Sequence, residues 1–127
     1  MQIFIYQTYS DWYKDKATEV LEGEVSVLYN GLIAVDTIID GKKYRQIFST
    51  KNNFGVIYKF SDNLLTHKIK INIYHDIDSW ESLKPEISFS GRVCEDEMTD
   101  NRFVFINEDG FKHYLSLDSI YSVTYDN

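Results

Sequence analysis

One cysteine, Cys94, and one proline, Pro85, occur in 127 residues. A lone thiol cannot close an internal disulfide, so the fold is held by packing and suits a reducing compartment. Long apolar runs are missing too. Residues 31–35 and 37–39 are separated by Asp36, well short of the roughly 18 apolar residues of a membrane span. The start, Met1-Gln2-Ile3-Phe4-Ile5-Tyr6, has no basic residue and only a brief apolar stretch, unlike a secretory signal. A soluble, intracellular (cytoplasmic) protein is expected. The chain contains no Walker loop, no G-x-G-x-x-G, no C-x-x-C and no G-x-S-x-G, so the common phosphate, dinucleotide, zinc and hydrolase signatures do not apply. Positive charge is also scarce. Thirteen bases against twenty acids give a net charge of −7, which disfavours direct binding to nucleic acid or anionic membrane.

What is present is apolar and aromatic. A hydrophobic fraction of 43% with 16% aromatics excludes a disordered chain, and this length supports one domain with a real core. Richness in Ile, Asn, Lys, Asp and Tyr suggests an AT-rich coding genome.

Period-two alternation dominates and predicts an all-β fold, or a β-dominated α+β fold with one short N-terminal helix. A first strand is expected at about residues 2–9. Ser10-Asp11 could cap the helix, with Trp12, Tyr13, Ala17 and Val20 along one side and Gly23 ending it. Val25, Val27 and Tyr29 then alternate into an Asn30-Gly31 hairpin turn. Residues 32–39 return, Asp40-Gly41 turns again, and 43–50 form the third strand of an antiparallel meander. A strand at 54–60 follows, with a turn at Ser61-Asp62-Asn63. In Lys68-Ile69-Lys70-Ile71-Asn72-Ile73-Tyr74 the isoleucines face a core and the lysines face water. Residues 76–85 break the pattern and read as a long connection, pinned by Trp80, between an N-terminal antiparallel sheet (1–75) and a barrel-like half (86–127) within one domain. Nine or ten strands in all would close a small barrel or two packed sheets. Asp40-Gly41-Lys42-Lys43-Tyr44 and Asp109-Gly110-Phe111-Lys112-His113-Tyr114 are similar, as hairpins in general are.

The last third has its own rhythm. Ile87-Ser88-Phe89-Ser90-Gly91-Arg92-Val93 is a strand with a central glycine where a small barrel bends. An acidic loop, Phe103-Val104-Phe105-Ile106, a DG turn, and Tyr114-Leu115-Ser116-Leu117 follow. Leu117-Asp118-Ser119 then forms a one-turn 3₁₀ element before a last strand. This order resembles SH3-like and Sm-like barrels in the G-x-V strand and the terminal L-x-x-I-x-x-V. An Sm-like protein would imply RNA binding, but the loops where its basic and asparagine residues would stand are acidic here.

Catalytic groupings are few. His75, Asp76 and Asp78 offer an imidazole and two carboxylates that could hold a divalent ion or move protons, but a solvated loop with Asp76 beginning a turn is the better account. His113 with Asp118 and Ser116 or Ser119 lacks a nucleophile elbow. Cys94 with His113 suffers from Glu95, Asp96 and Glu97, which raise a thiol pKa. No catalytic residue, metal or cofactor is assigned.

The acids are unevenly placed. Residues 1–60 balance seven acids with seven bases, whereas 61–127 carry thirteen acids and six bases. The expected partner surface is Glu95, Asp96, Glu97, Asp100, Glu108 and Asp109, gathered at one end of the barrel and meeting a basic protein surface. That surface could be the channel of a nucleic-acid enzyme, with carboxylates standing in for phosphates. The expected function is a non-catalytic acidic binding protein, in the manner of a phage or mobile-element inhibitor of a host nucleic-acid enzyme or defence system. The alternative is a small-molecule or nucleotide-binding module using Tyr44, Arg45, Tyr58 and Lys59. The basic second hairpin could also meet the acidic patch of a second copy, giving a homodimer or a head-to-tail oligomer.

Overall fold

The structure, a computed structural model, describes residues 1–28, 32–61 and 68–126. The Asn30-Gly31 turn and Asp62-Asn63 lie outside them. Eleven strands and two five-residue helices are formed among the described residues. In chain order they are β1 Gln2–Tyr6, α1 Tyr9–Tyr13, β2 Glu19–Glu22, β3 Glu24–Val27, β4 Ile33–Ile39, β5 Lys42–Phe48 and β6 Gly55–Lys59. Then come β7 Ile69–Tyr74, α2 Ile77–Glu81, β8 Ile87–Val93, β9 Arg102–Asn107, β10 Phe111–Ser116 and β11 Ser122–Tyr125. Eight strands make one antiparallel sheet in the order β11-β7-β8-β9-β10-β6-β1-β2, and three make a second, β3-β4-β5. The β-dominated fold follows the alternation read in the sequence.

Two apolar clusters lie on opposite faces of the larger sheet. Ile3, Ile5, Val56, Tyr58, Val104, Ile106 and Tyr114 pack on one face against Ile33, Val35 and Phe48 of the small sheet. Ile57, Phe103, Phe105 and Leu115 pack on the other with Ile71 and Ile73, beneath Tyr9 and Trp12 of α1. Strands β6, β9 and β10 are thus buried on both faces, which is why β6 and β9 read as continuous apolar runs instead of alternating ones.

The chain runs through the same plan twice. Each half has a strand, a five-residue helix, a glycine-bent strand, a hairpin, a short turn, and a last strand that pairs with the first. At a constant offset Ile3, Ile5, Tyr6, Trp12, Gly23 and Val25 correspond to Ile71, Ile73, Tyr74, Trp80, Gly91 and Val93. The helix caps Thr8 and Asp76 correspond, as do Asp15 and Leu83 at positive φ. After each hairpin the offset shortens by one residue, and Ser49 and Ser116 both accept from the backbone N–H two residues on. The closing ladders then match, Ile5–Val56 with Ile73–Val123 and Ile3–Tyr58 with Ile71–Tyr125. The glycines are required at the bend. A Cβ on Gly23 would stand 2.1 Å from the Asp36 carbonyl oxygen, and one on Gly91 2.1 Å from that of Ile106. The order resembling an SH3-like barrel, read only in the last third, therefore recurs in the first half.

Three expectations change. The helix is five residues long and capped by Thr8, while Val20 lies in β2. β-Branched Thr18 and Val20 pair with β1 more readily than they extend a helix. Residues 76–85 hold α2, the counterpart of α1, and join the paired strands β7 and β8 instead of linking two halves. Its capping box is Asp76-x-x-Ser79, a serine where Glu or Gln would be the sequence signal. The large sheet takes strands from both sides of that segment.

Candidate functional site: an acidic end above a buried ion pair

Residues 94–101 connect β8 to β9 and contain a 3₁₀ turn at Glu95–Glu97. The turn points its carboxylates in different directions. Glu97 faces inward, pairs with the ammonium of Lys112, and accepts a 3.0 Å hydrogen bond from Tyr114 Oη. Tyr114 Oη also meets Tyr58 Oη at 3.4 Å, and the Arg102 guanidinium donates to the Glu97 carbonyl oxygen. Lys112 and Arg102 are both buried. The Lys112 stem crosses apolar surface with its ammonium 4.7 Å from the centre of the Phe60 ring. Burial, then Tyr58 and Glu97, push the Tyr114 phenol far above its ordinary value, so it acts here only as a hydrogen-bonding group. Burial lowers the pKa of Arg102.

The other acids of this segment, Glu95, Asp96 and Asp100, are exposed. Leu117 N–H bonds the Asn101 carbonyl at 2.9 Å, which brings Asp118 beside them. Burial and then the nearby Glu95 carboxylate raise the Tyr125 phenol, which brings the end of β11, with Asp126, toward Glu95. None of these five carboxylates joins an ion pair with a described residue. Glu108 and Asp109 stand at the β9–β10 turn, the far end of β9, where Glu108 pairs with Lys68 at 3.4 Å. Of the six acids expected to share one end, three do so on the surface, Glu97 turns in, and Asp118 and Asp126 join the three.

The alternative ligand set is divided. Tyr44 and Arg45 lie on β5 of the small sheet, beside an open groove of about 790 Å³. Arg45 is held bidentately by Asp36 at 2.7 and 2.9 Å, and that hydrogen bonding lowers the Asp36 pKa. Tyr58 and Lys59 lie on β6 between β1 and β10. Tyr58 is buried, and Lys59 donates to the Asp109 carbonyl oxygen. Among the described residues the groove takes Tyr44 and Arg45 alone of the four, because β6 leaves the hairpin to close the first half.

The catalytic groupings dissolve into structure. Asp76 caps α2, accepting from Ser79 N–H at 2.8 Å, and such bonds hold its carboxyl below the usual range. His75 stacks on Tyr9 with ring centres 4.0 Å apart. No cluster of three or more metal-ligating acids, histidines or cysteines exists among the described residues. Cys94 belongs to the cluster on one face of the sheet, whereas His113 packs against Trp12, Phe89 and Phe105 of the other. Burial first, with Glu97 adding, raises the Cys94 thiol.

His113 is buried, stacked on Phe105 at 4.5 Å, and pushed down to a pKa of about 3 by desolvation. Trp12 Nε1 points its N–H at Nδ1 at 3.3 Å, and Nε2 meets Asn107 Nδ2 at 3.3 Å, whose Oδ1 accepts from the N–H groups of Asp109 and Phe111. A neutral imidazole accepts at only one of these two nitrogens. A cavity of about 310 Å³ lined by Phe4, Ile57 and Phe111 opens at this ring. Beside it Tyr6 Oη donates to Asp15 at 3.1 Å, and burial with Asp15 pushes that phenol up to about 12.

The buried cations were missed in the sequence reading, although a signal exists. Arg102 abuts the unbroken apolar run Phe103-Val104-Phe105-Ile106, and Lys112 lies among Phe111, Tyr114 and Leu115 on the strand paired with that run, where a base has no wet face to point to. Compared with known proteins, the chain matches no family model, and no curated protein or solved structure is significantly similar to it.

Proposed function

We propose that the chain is a non-catalytic binding protein whose acidic end docks on a basic protein surface. The observation that carries this reading is the group Glu95, Asp96, Asp100, Asp118 and Asp126, exposed at one end without an ion-pair partner among the described residues. The partly buried Glu97–Lys112 pair supports it by tying the 3₁₀ turn that carries Glu95 and Asp96 to β10. Carboxylates grouped in this way suit a surface that binds phosphates, and occlusion of a nucleic-acid enzyme is the mechanism in view. The test is capture from a lysate of the source organism with wild type and with Glu95→Lys/Asp96→Lys/Asp100→Lys. A basic protein retained by wild type and lost by the variant supports the reading; equal retention by both rejects it.

A second reading has its own observation, the largely apolar cavity at the His113 ring, where Tyr6, Asp15 and Asn107 stand beside Phe4, Ile57 and Phe111. A small apolar ligand bearing a polar group would suit it. Such a ligand raises the melting temperature with concentration, and His113→Gln should abolish the rise.

A further inference from the structure

Equivalent positions in the two halves differ sharply in burial. Trp12 is 6% exposed and its counterpart Trp80 is 37% exposed. Phe54 is 2% exposed, and its counterpart Tyr121 48%. In the opposite sense Tyr114 is fully buried, while its counterpart Ile47 is 48% exposed. One contact accounts for all three. The last strand of the first half, β6, pairs with the fourth strand of the second half, β10. That junction sets Trp12 and Phe54 into the second half's core and Tyr114 into the first half's. The fourth strand of the first half, β5, and the last strand of the second, β11, are the same two surfaces left open, each at the end of its sheet.

We infer that the chain binds a second copy of itself head to tail, with β11 of one copy pairing antiparallel with β5 of the next as β6 pairs with β10. Carrying the internal ladder over by the repeat offset gives its register. His113–Ile57 becomes Gln46–Thr124, and Tyr114–Val56 becomes Ile47–Val123. Lys112–Tyr58 becomes Arg45–Tyr125, which sets Arg45 toward Glu95, the carboxylate nearest Tyr125. Charge agrees with geometry, since β5 carries Lys42, Lys43 and Arg45 and the β11 end carries Glu95 and Asp126. Exposed lysines on an edge strand also deter indiscriminate pairing and leave an acidic edge as the favoured match. The contact is heterologous, so it builds rings or open chains. It goes beyond the docking reading, because strand edges and not carboxylates make the bond.

The experiment mixes two half-blocked chains. Ile47→Lys obstructs the β5 edge and Tyr121→Glu the β11 edge, both at exposed positions clear of Glu95, Asp96 and Asp100. Sedimentation should show wild type heavier than its 15.0 kDa monomer, increasingly so with concentration. Each variant alone should be monomeric, and their mixture should form a dimer through the one open edge that each retains. A wild type that stays monomeric at about 0.1 mM, or variants that fail to pair on mixing, would overturn the inference. So would a dimer persisting in either variant alone. A readout independent of those substitutions is Gln46→Cys mixed with Thr124→Cys. Directly opposed residues in such a ladder lie about 4.5–5.5 Å apart at Cα, within disulfide reach. Oxidation should give the mixed crosslink, and its absence would contradict the register. Loss of partner capture with self-association intact would implicate the acidic-end reading alone.

Discussion

Acidification should weaken the fold through His113 before it touches the carboxylates. The ring is buried against Phe105 and Trp12, and desolvation holds its pKa at about 3 against an ordinary 6.5. Above pH 6.5 neither folded nor unfolded chain carries the proton, and stability is flat. Between 6.5 and about 3 the unfolded chain binds a proton that the folded chain refuses, so stability falls as pH falls. At pH 5 the difference is about 1.5 pH units, or about 2 kcal/mol at 1.36 kcal/mol per unit. Asp36 and Asp76, whose pKa values are lowered, contribute stability that is lost only below the ordinary carboxylate range, so pH 5 isolates the imidazole. The assay is urea unfolding at pH 8 and pH 5 for wild type and His113→Gln. Glutamine keeps an acceptor for the Trp12 indole but cannot titrate. Wild type should lose about 2 kcal/mol between the two conditions and the variant under about 0.5. Equal losses would refute the assignment of a buried neutral imidazole.

The Glu97–Lys112 pair should behave as a partly buried ion pair. Lys112→Met should cost about 2 kcal/mol in urea unfolding, and adding Glu97→Gln should recover part of it, because the single change leaves a partly buried carboxylate without its counter-charge. Tyr114→Phe should cost about 1 kcal/mol by removing the hydroxyl that bonds Glu97. Gly91→Ala and Gly23→Ala should each cost about 2 kcal/mol or more, read as a lowered melting temperature, since each Cβ would meet a carbonyl oxygen. Gly41→Ala, with φ +79° and open space around it, should cost only about 1 kcal/mol.

Most strands were legible because half-buried strands alternate, as Ile69, Ile71 and Ile73 against Lys70 and Asn72 show. The doubled architecture was not, although Ile5-Tyr6, Trp12 and Gly23 foreshadow Ile73-Tyr74, Trp80 and Gly91. The repeated DG turns drew the comparison to the hairpins, where the spacing between the halves shifts and the match is poorest. Strand β2 was hidden because it carries a glutamate at each end and lies at a sheet edge with only Leu21 turned inward. The acidic end was legible in part. Glu95, Asp96 and Asp100 follow from the local run, but recruitment of Asp118 and Asp126 depends on contacts between segments distant in the chain. The inward turn of Glu97 depends on Lys112 lying on the neighbouring strand.

The docking account is tested most directly by the association rate of the captured partner at ionic strengths of about 0.05 and about 0.5 M, where screening lengths differ severalfold. Electrostatic docking predicts a rate that falls by about tenfold or more. Lysine reversal at Glu95, Asp96 and Asp100 should abolish this salt dependence, whereas Glu97→Gln should leave it in place. A rate insensitive to salt, or one lowered as much by Glu97→Gln as by the reversal, would contradict the claim that the exposed acidic end makes the encounter.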